Sequence, residues 1–188
     1  MPNLEEKRNE WLSLAKEIML KAVERDSVFS HEFCPTTYNQ DEKELKEALK
    51  RVANLTREIH TLAGRLAILE RDGSFGAKVL GINDEITRTA LAILVTARMG
   101  GSASREVKRV NEVIDLVGGR DPERCLAVRN LFREDGILFK HTNICPSVSL
   151  DESRCYIRES AFNKVVGQAV DGSEGMCDAI ALAGRWER

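Results

Sequence analysis

Apolar residues recur along residues 4–25 at intervals of three, four and seven: Leu4, Trp11, Leu14, Ile18 and Ala22, with Glu and Lys on the opposite face. That spacing predicts an amphipathic helix. Ser27, Ser30, Pro35, Thr36 and Thr37 then mark residues 26–40 as a connecting loop. A second apolar series follows Asp41, a candidate N-cap: Leu45, Leu49, Val52, Leu55, Ile59, Leu62, Leu66 and Leu69 alternate at four and three. This is a heptad-like seam on one helix roughly 45 Å long. The shorter first helix covers about half of it as an antiparallel hairpin, so the distal turns call for another surface: a second copy, another protein, or the third helix, which would make a monomer adequate. Gly64 interrupts the seam and marks a candidate close crossing.

Arg71-Asp72-Gly73-Ser74-Phe75-Gly76 ends that helix and is the expected domain boundary. A third helix starts at Asn83 as N-cap, with Asp84 and Glu85 favouring the helix dipole. Ile86, Ala90, Ile93 and Ala97 form one stripe, while Leu91, Leu94 and Val95 make the other side apolar as well. Such a helix is expected to be buried on both sides, between the wing core and the long helix. Ser104 is read as the cap of a fourth helix, with Glu106 in its first turn and Val107, Val110, Ile114 and Val117 inward. Gly118-Gly119-Arg120 makes a tight turn, and Asp121-Pro122-Glu123 opens a fifth helix with strong start signals. Gly136-Ile137-Leu138-Phe139-Lys140 and Arg154-Cys155-Tyr156-Ile157-Arg158 read as two short strands, and Ser160 to Gly167 as a closing helix.

The fold class this predicts is mainly α: a long N-terminal helical hairpin (1–76), a winged-helix domain (77–167), meaning a helix-turn-helix with a small β-wing, and a linker or further element (168–188). Composition bears on the partner. Aromatic residues are only 5% of the chain, which argues against single strands read by base stacking. The net charge is −2 and the balance is even: residues 1–80 hold 13 basic and 14 acidic side chains. A dedicated DNA binder normally carries a basic excess, which is absent here. Five scattered cysteines without a C-x-x-C, no leader-like start and no apolar run near the ~20 residues of a membrane span point to a cytoplasmic protein.

Enzyme motifs are absent: there is no G-x-x-x-x-G-K-[ST], no strand-linked G-x-G-x-x-G, no H-E-x-x-H and no G-x-S-x-G. Gly100-Gly101-Ser102-Ala103-Ser104 lacks the lysine and preceding strand of a phosphate loop. His31 and Cys34 offer two metal ligands where zinc needs three or four, so they read as loop residues; His60 is a flank of the long helix. The fifth helix stands where a recognition helix would. Projection at 100° per residue places Cys125, Val128, Leu131 and Phe132 inward, and Leu126, Asn130 and Arg133 outward with Arg129 beside them. Leu126, Arg129, Asn130 and Arg133 are therefore the candidate contacts to a partner or to base edges in a major groove. Glu123, Glu134 and Asp135 would repel phosphates, which favours a protein partner. Lys140, His141 and Arg154 are the candidate wing residues.

Leu80-Gly81-Ile82-Asn83-Asp84-Glu85, the apolar Ala90–Ala97 helix, Val110…Ile114-Asp115-Leu116-Val117, Leu126…Leu131…Asp135-Gly136-Ile137-Leu138 and Val165-Val166-Gly167 form a pattern over residues 80–167. It resembles the variant winged-helix region that precedes the motor in a group of bacterial AAA+ ATPases. The resemblance implies a non-catalytic adaptor or regulatory N-terminal module, whose partner is a protein or the ATPase domain of the same polypeptide. The alternative is a stand-alone winged-helix transcription regulator with DNA as its partner. No Walker A lysine or Walker B acid occurs before Arg188, so no nucleotide-binding residue is carried over. No cofactor is expected in this chain; ATP and Mg would belong to an ATPase domain following it.

Overall fold

The computed structural model describes residues 3–32, 42–99 and 108–167. Helix α1 spans Leu4–Glu32 and α2 spans Glu42–Leu69. They pack antiparallel, and ion pairs Lys7–Asp72, Glu10–Arg65, Lys21–Glu58 and Glu24–Arg51 follow their whole length. The first helix thus continues through residues 26–32, where a loop was expected. The apolar stripe does not stop at Ala22: Arg25 and Val28 occupy its next two turns, both buried. Ser27 remains helical by returning its hydroxyl to the Glu24 carbonyl at 2.7 Å. The two arms are therefore nearly equal, at 29 and 28 residues, and the expectation of a short arm covering half of a long one is corrected.

The leucine seam is buried in its second half and open in its first. Leu55, Ile59, Leu62 and Leu66 lie in the core, Leu45, Val52 and Leu69 are half-buried, and Leu49 is 50% exposed. Ala48, not Leu49, faces inward at that level. Gly64 is exposed with nothing within 4 Å of where a Cβ would stand, so it marks no helix crossing. Asp41, the expected cap of α2, lies outside the described residues.

Two short 3-10 turns, Glu70–Asp72 and Gly76–Leu80, follow α2. Glu70 is fully buried here: its carboxylate accepts from Trp11 Nε1 at 2.6 Å, Ala77 N at 2.9 Å and Arg88 Nε at 3.1 Å. One apolar cluster draws on residues from both sides of this turn, from Trp11 to Val165. Helix α3, Glu85–Met99, runs through its middle, with Thr87 to Val95 and Ala97 all buried. It meets α1, α2 and three later elements, as its all-round apolarity predicts. Its cap is Asp84, which accepts from Thr87 N at 2.7 Å, one residue after the expected Asn83.

Lys108–Arg109 form a short strand, β1, and α4 spans Val110–Gly118. The helix that carries Ile114 and Val117 thus starts at Val110; the expected cap Ser104, with Glu106 and Val107, lies outside the described residues. Extended pairing with a later strand holds 108–109 out of helix, and Glu112 caps α4 by accepting from Arg109 N at 3.2 Å. Helix α5 spans Pro122–Leu131, with Asp121 accepting from Arg124 N at 2.9 Å as its cap.

The chain then turns through a 3-10 segment, Phe139–His141, into strands β2, Thr142–Cys145, and β3, Arg154–Ile157. The first strand of the hairpin was expected at 136–140 and lies later. Leu138 N bonds to Leu131 O at 3.0 Å and Gly136 N to Arg133 O at 2.7 Å, which folds that stretch back onto the end of α5. The sheet has the order β1-β3-β2, antiparallel throughout, with Ile144 opposite Cys155. Helix α6, Glu159–Val166, closes the fold and ends at Gly167, whose φ is +74°. The described chain is thus mainly helical with one small sheet, and no described helix is long and apolar enough to cross a membrane.

Candidate functional site

The turn between α4 and α5 sets the direction in which α5 presents itself. Gly119 and Arg120 both take the left-handed conformation, with φ +59° and +61°. Arg25, 1% exposed, reaches this turn from α1. Its Nη2 donates to Leu116 O at 2.7 Å and its Nη1 to Thr56 Oγ1 at 3.1 Å, so one guanidinium links α1, α2 and the end of α4. A cation at that end meets the negative pole of the helix. Burial lowers its pKa from the ordinary arginine value, and the nearby Arg124 charge adds to this. Arg120 stacks over Phe29 at 5.0 Å from the ring centre and pairs with Asp26. On α4, burial and the carboxylates of Asp26 and Asp151 raise the Asp115 pKa, with Arg120 opposing.

The inward face of α5 carries Val128 and Phe132, both buried, while Cys125 and Leu131 are half-buried. Burial raises the Cys125 pKa, and its Sγ lies 4.0 Å from Ile114 O. On the outer face, Leu126 is 53% exposed, and Asn130 and Arg133 are exposed. Arg129 is not open in the same way. Its Nε donates to Asp151 Oδ1 at 3.0 Å and its Nη2 to Asp151 Oδ2, a two-pronged pair across to the loop joining β2 and β3. That loop, residues 146–153, contains Asp151 and Glu152 and no lysine or arginine. Glu152 pairs with Arg109.

The expected wing residues separate in space. Lys140 and His141 lie on the 3-10 segment before β2, and only Arg154 is on a strand of the hairpin, exposed. His141 is half-buried and donates a ring N–H to the Leu80 carbonyl; burial lowers its pKa, the Leu80 bond opposes this, and Lys164, Arg158 and Lys140 add to the lowering. Cys155, buried in β3, has its thiol pKa pushed up to about 12 by burial.

Between the end of α5 and the β2–β3 loop lies an open groove of about 570 Å³, bounded by Arg133, Glu134 and Asp135 on one side and by Pro146 to Leu150 on the other. Among the described residues, no group of three or more His, Cys, Asp or Glu is placed to hold a metal ion. His31 and Cys34 fall outside the described side chains, and His60 sits 3.4 Å from Glu85 on the flank of α2.

Sequence reasoning overlooked Arg25, Asp151 and the groove. Arg25 left a signal, a charge at a core position of the Leu14–Ile18–Ala22 stripe. Asp151 left none, since it lies in a loop 22 residues from its partner Arg129 on α5. No known protein family matches the chain, and neither a curated protein nor a solved structure does.

Proposed function

We propose that this chain is a non-catalytic adaptor or regulatory module that binds a protein partner through a winged-helix unit, as the N-terminal segment of a AAA+ type ATPase. The order of elements from α3 to β3 supports the winged-helix reading: helix, strand, two helices joined by a tight turn, then a hairpin whose second strand is central in the sheet. In that arrangement α5 takes the place of the recognition helix and residues 146–153 that of the wing.

The observation that carries the choice of a protein over a nucleic acid is the Arg129–Asp151 pair. It neutralises the cation best placed to read a base and puts a carboxylate where a DNA-binding wing would offer lysine or arginine. The remaining outward face offers Leu126 at its centre, an apolar contact suited to a protein surface.

Fluorescence anisotropy of a labelled duplex at low and moderate salt tests this reading. No salt-sensitive, sequence-dependent binding is expected, and no ATP hydrolysis by the purified chain. Salt-sensitive binding to a specific duplex, weakened by Arg133→Ala, would move the assignment to a stand-alone transcription regulator. The ATPase part is decided by the gene: a reading frame that runs past Arg188 into a Walker A motif supports it, and one that stops refutes it.

A further inference from the structure

The groove beside α5 combines an apolar floor with uncompensated negative charge. Phe139, Ile144 and Leu150 are half-buried along it, and Val148 on the loop is 101% exposed. On the rim, Glu134 and Asp135 are exposed and, among the described residues, meet no cation at ion-pair distance. The neighbouring acids Asp151 and Glu152 are each neutralised, by Arg129 and Arg109. Arg133 is the rim's single cation, which leaves one net negative charge over an apolar surface. The volume, about 570 Å³, falls within the ~300–1,000 Å³ of ligand clefts.

We propose that this groove takes a short segment of a protein partner carrying an apolar side chain flanked by lysine or arginine. The apolar residue seats against Phe139, Val148 and Leu150, and the flanking cations face Glu134 and Asp135. Phosphates or an acidic peptide would meet repulsion at the same rim. The inference rests on the reading of the chain as a protein-binding module. Apart from Arg133, which borders both, it uses other residues than the outward face of α5, where Leu126 stands.

Two fluorescein-labelled peptides of equal length test it, one of alternating leucine and lysine, the other of alternating leucine and glutamate. Titrated with the full chain, the lysine peptide is expected to bind saturably and about tenfold more tightly than the glutamate peptide. Val148→Ser with Leu150→Ala, or Glu134→Gln with Asp135→Asn, weakens it about tenfold with the helical circular dichroism unchanged; Lys50→Ala, at an exposed position of α2 away from the groove, leaves it as it was. Absence of saturable binding, equal affinity for both peptides, or indifference to both double variants overturns the groove. So does a loss of self-association in sedimentation caused by Val148→Ser with Leu150→Ala, which would make a second copy the occupant. If Leu126→Glu alone abolishes binding, the groove fails while the protein-binding reading stands. If peptide binding survives but specific duplex binding appears, the groove stands and the proposed function fails.

Discussion

Arg25 on α1 and Gly119 in the α4–α5 turn are in direct apposition: a Cβ on Gly119 would stand 2.7 Å from Arg25 Cζ. The turn is thus shaped around a buried guanidinium from α1, and its φ of +59° is one that side chains adopt only with strain. Gly119→Ala is expected to destabilise the protein by about 1–3 kcal/mol through both effects. Arg25→Met, which keeps the packing but leaves carbonyls at the end of α4 without a donor, is expected to cost about 1–3 kcal/mol. Urea unfolding followed by circular dichroism measures both. Because the two residues touch, the double variant should lose less than the sum of the singles.

Glu70 is expected to be the least replaceable side chain in the first turn after α2. Glu70→Ala leaves the buried Arg88 with the carbonyls of Ile82, Asn83 and Asp84 but without its counter-charge, and removes the acceptor of Trp11 Nε1. Breaking a buried pair in this way typically costs about 3–5 kcal/mol. The shift in unfolding midpoint measures the loss, and the fluorescence of Trp11 should change in the folded state. Folding with unaltered stability would show that the pair contributes nothing.

Gly64 offers the opposite outcome. It lies mid-helix, exposed, with open space around its missing Cβ. Gly64→Ala is expected to stabilise by about 0.5–1 kcal/mol, since alanine loses less backbone entropy in a helix. A neutral or negative change would mean that α2 crosses another surface there.

His141 makes stability depend on pH with a definite sign. Its folded pKa lies below the ordinary histidine value, so the folded state holds its proton less tightly than the unfolded chain does. Its share of stability is therefore full above the unfolded value of about 6.5 and is lost as pH falls through the folded pKa. The charged groups around it, Lys140 beside it, Arg158 after β3 and Lys164 on α6, are all cations and add to the effect of burial, while the hydrogen bond to the Leu80 backbone opposes it. Between about pH 7.5 and pH 5 the wild-type urea midpoint should fall more steeply than that of His141→Gln. Equal slopes would assign the dependence to other groups.

Cys155 should be inert in the native state. It is buried in β3 and its thiol pKa is about 12, so little thiolate forms at neutral pH. Brief treatment with iodoacetamide followed by peptide mapping should find Cys155 modified only after denaturant is added. Modification at the rate of half-buried Cys145 would show that the sheet opens readily.

Much of this architecture is legible in the pattern of residues. The α2 series, the apolar α3, the Gly119 turn and the Asp121-Pro122 start all lie in local spacing and local chemistry, and each appears where that spacing puts it. The end of α1 does not, because Arg25 and Ser27 look polar until the partners that satisfy them, Leu116 O and Glu24 O, are known. The early hairpin strand was misplaced for a similar reason. Ile137 and Leu138 have strand-like composition, but Leu138 is drawn back to Leu131 O. Two-residue β1 carries no periodicity to detect. Of the candidate contacts, Leu126, Asn130 and Arg133 are exposed as projection requires, while Arg129 is tied to a loop that no helical projection includes.

The central position of α3 has a consequence for the chain during its synthesis. The α1–α2 hairpin is complete at Leu69, but α3, which packs on both of its arms, ends only at Met99. Roughly 30 residues separate the two events, which at ~5–20 residues per second is a wait of seconds. Throughout that interval the ribosome displays a finished helical pair with its apolar stripe bare. The hairpin is therefore the stretch of the nascent chain on which a chaperone would first have cause to settle.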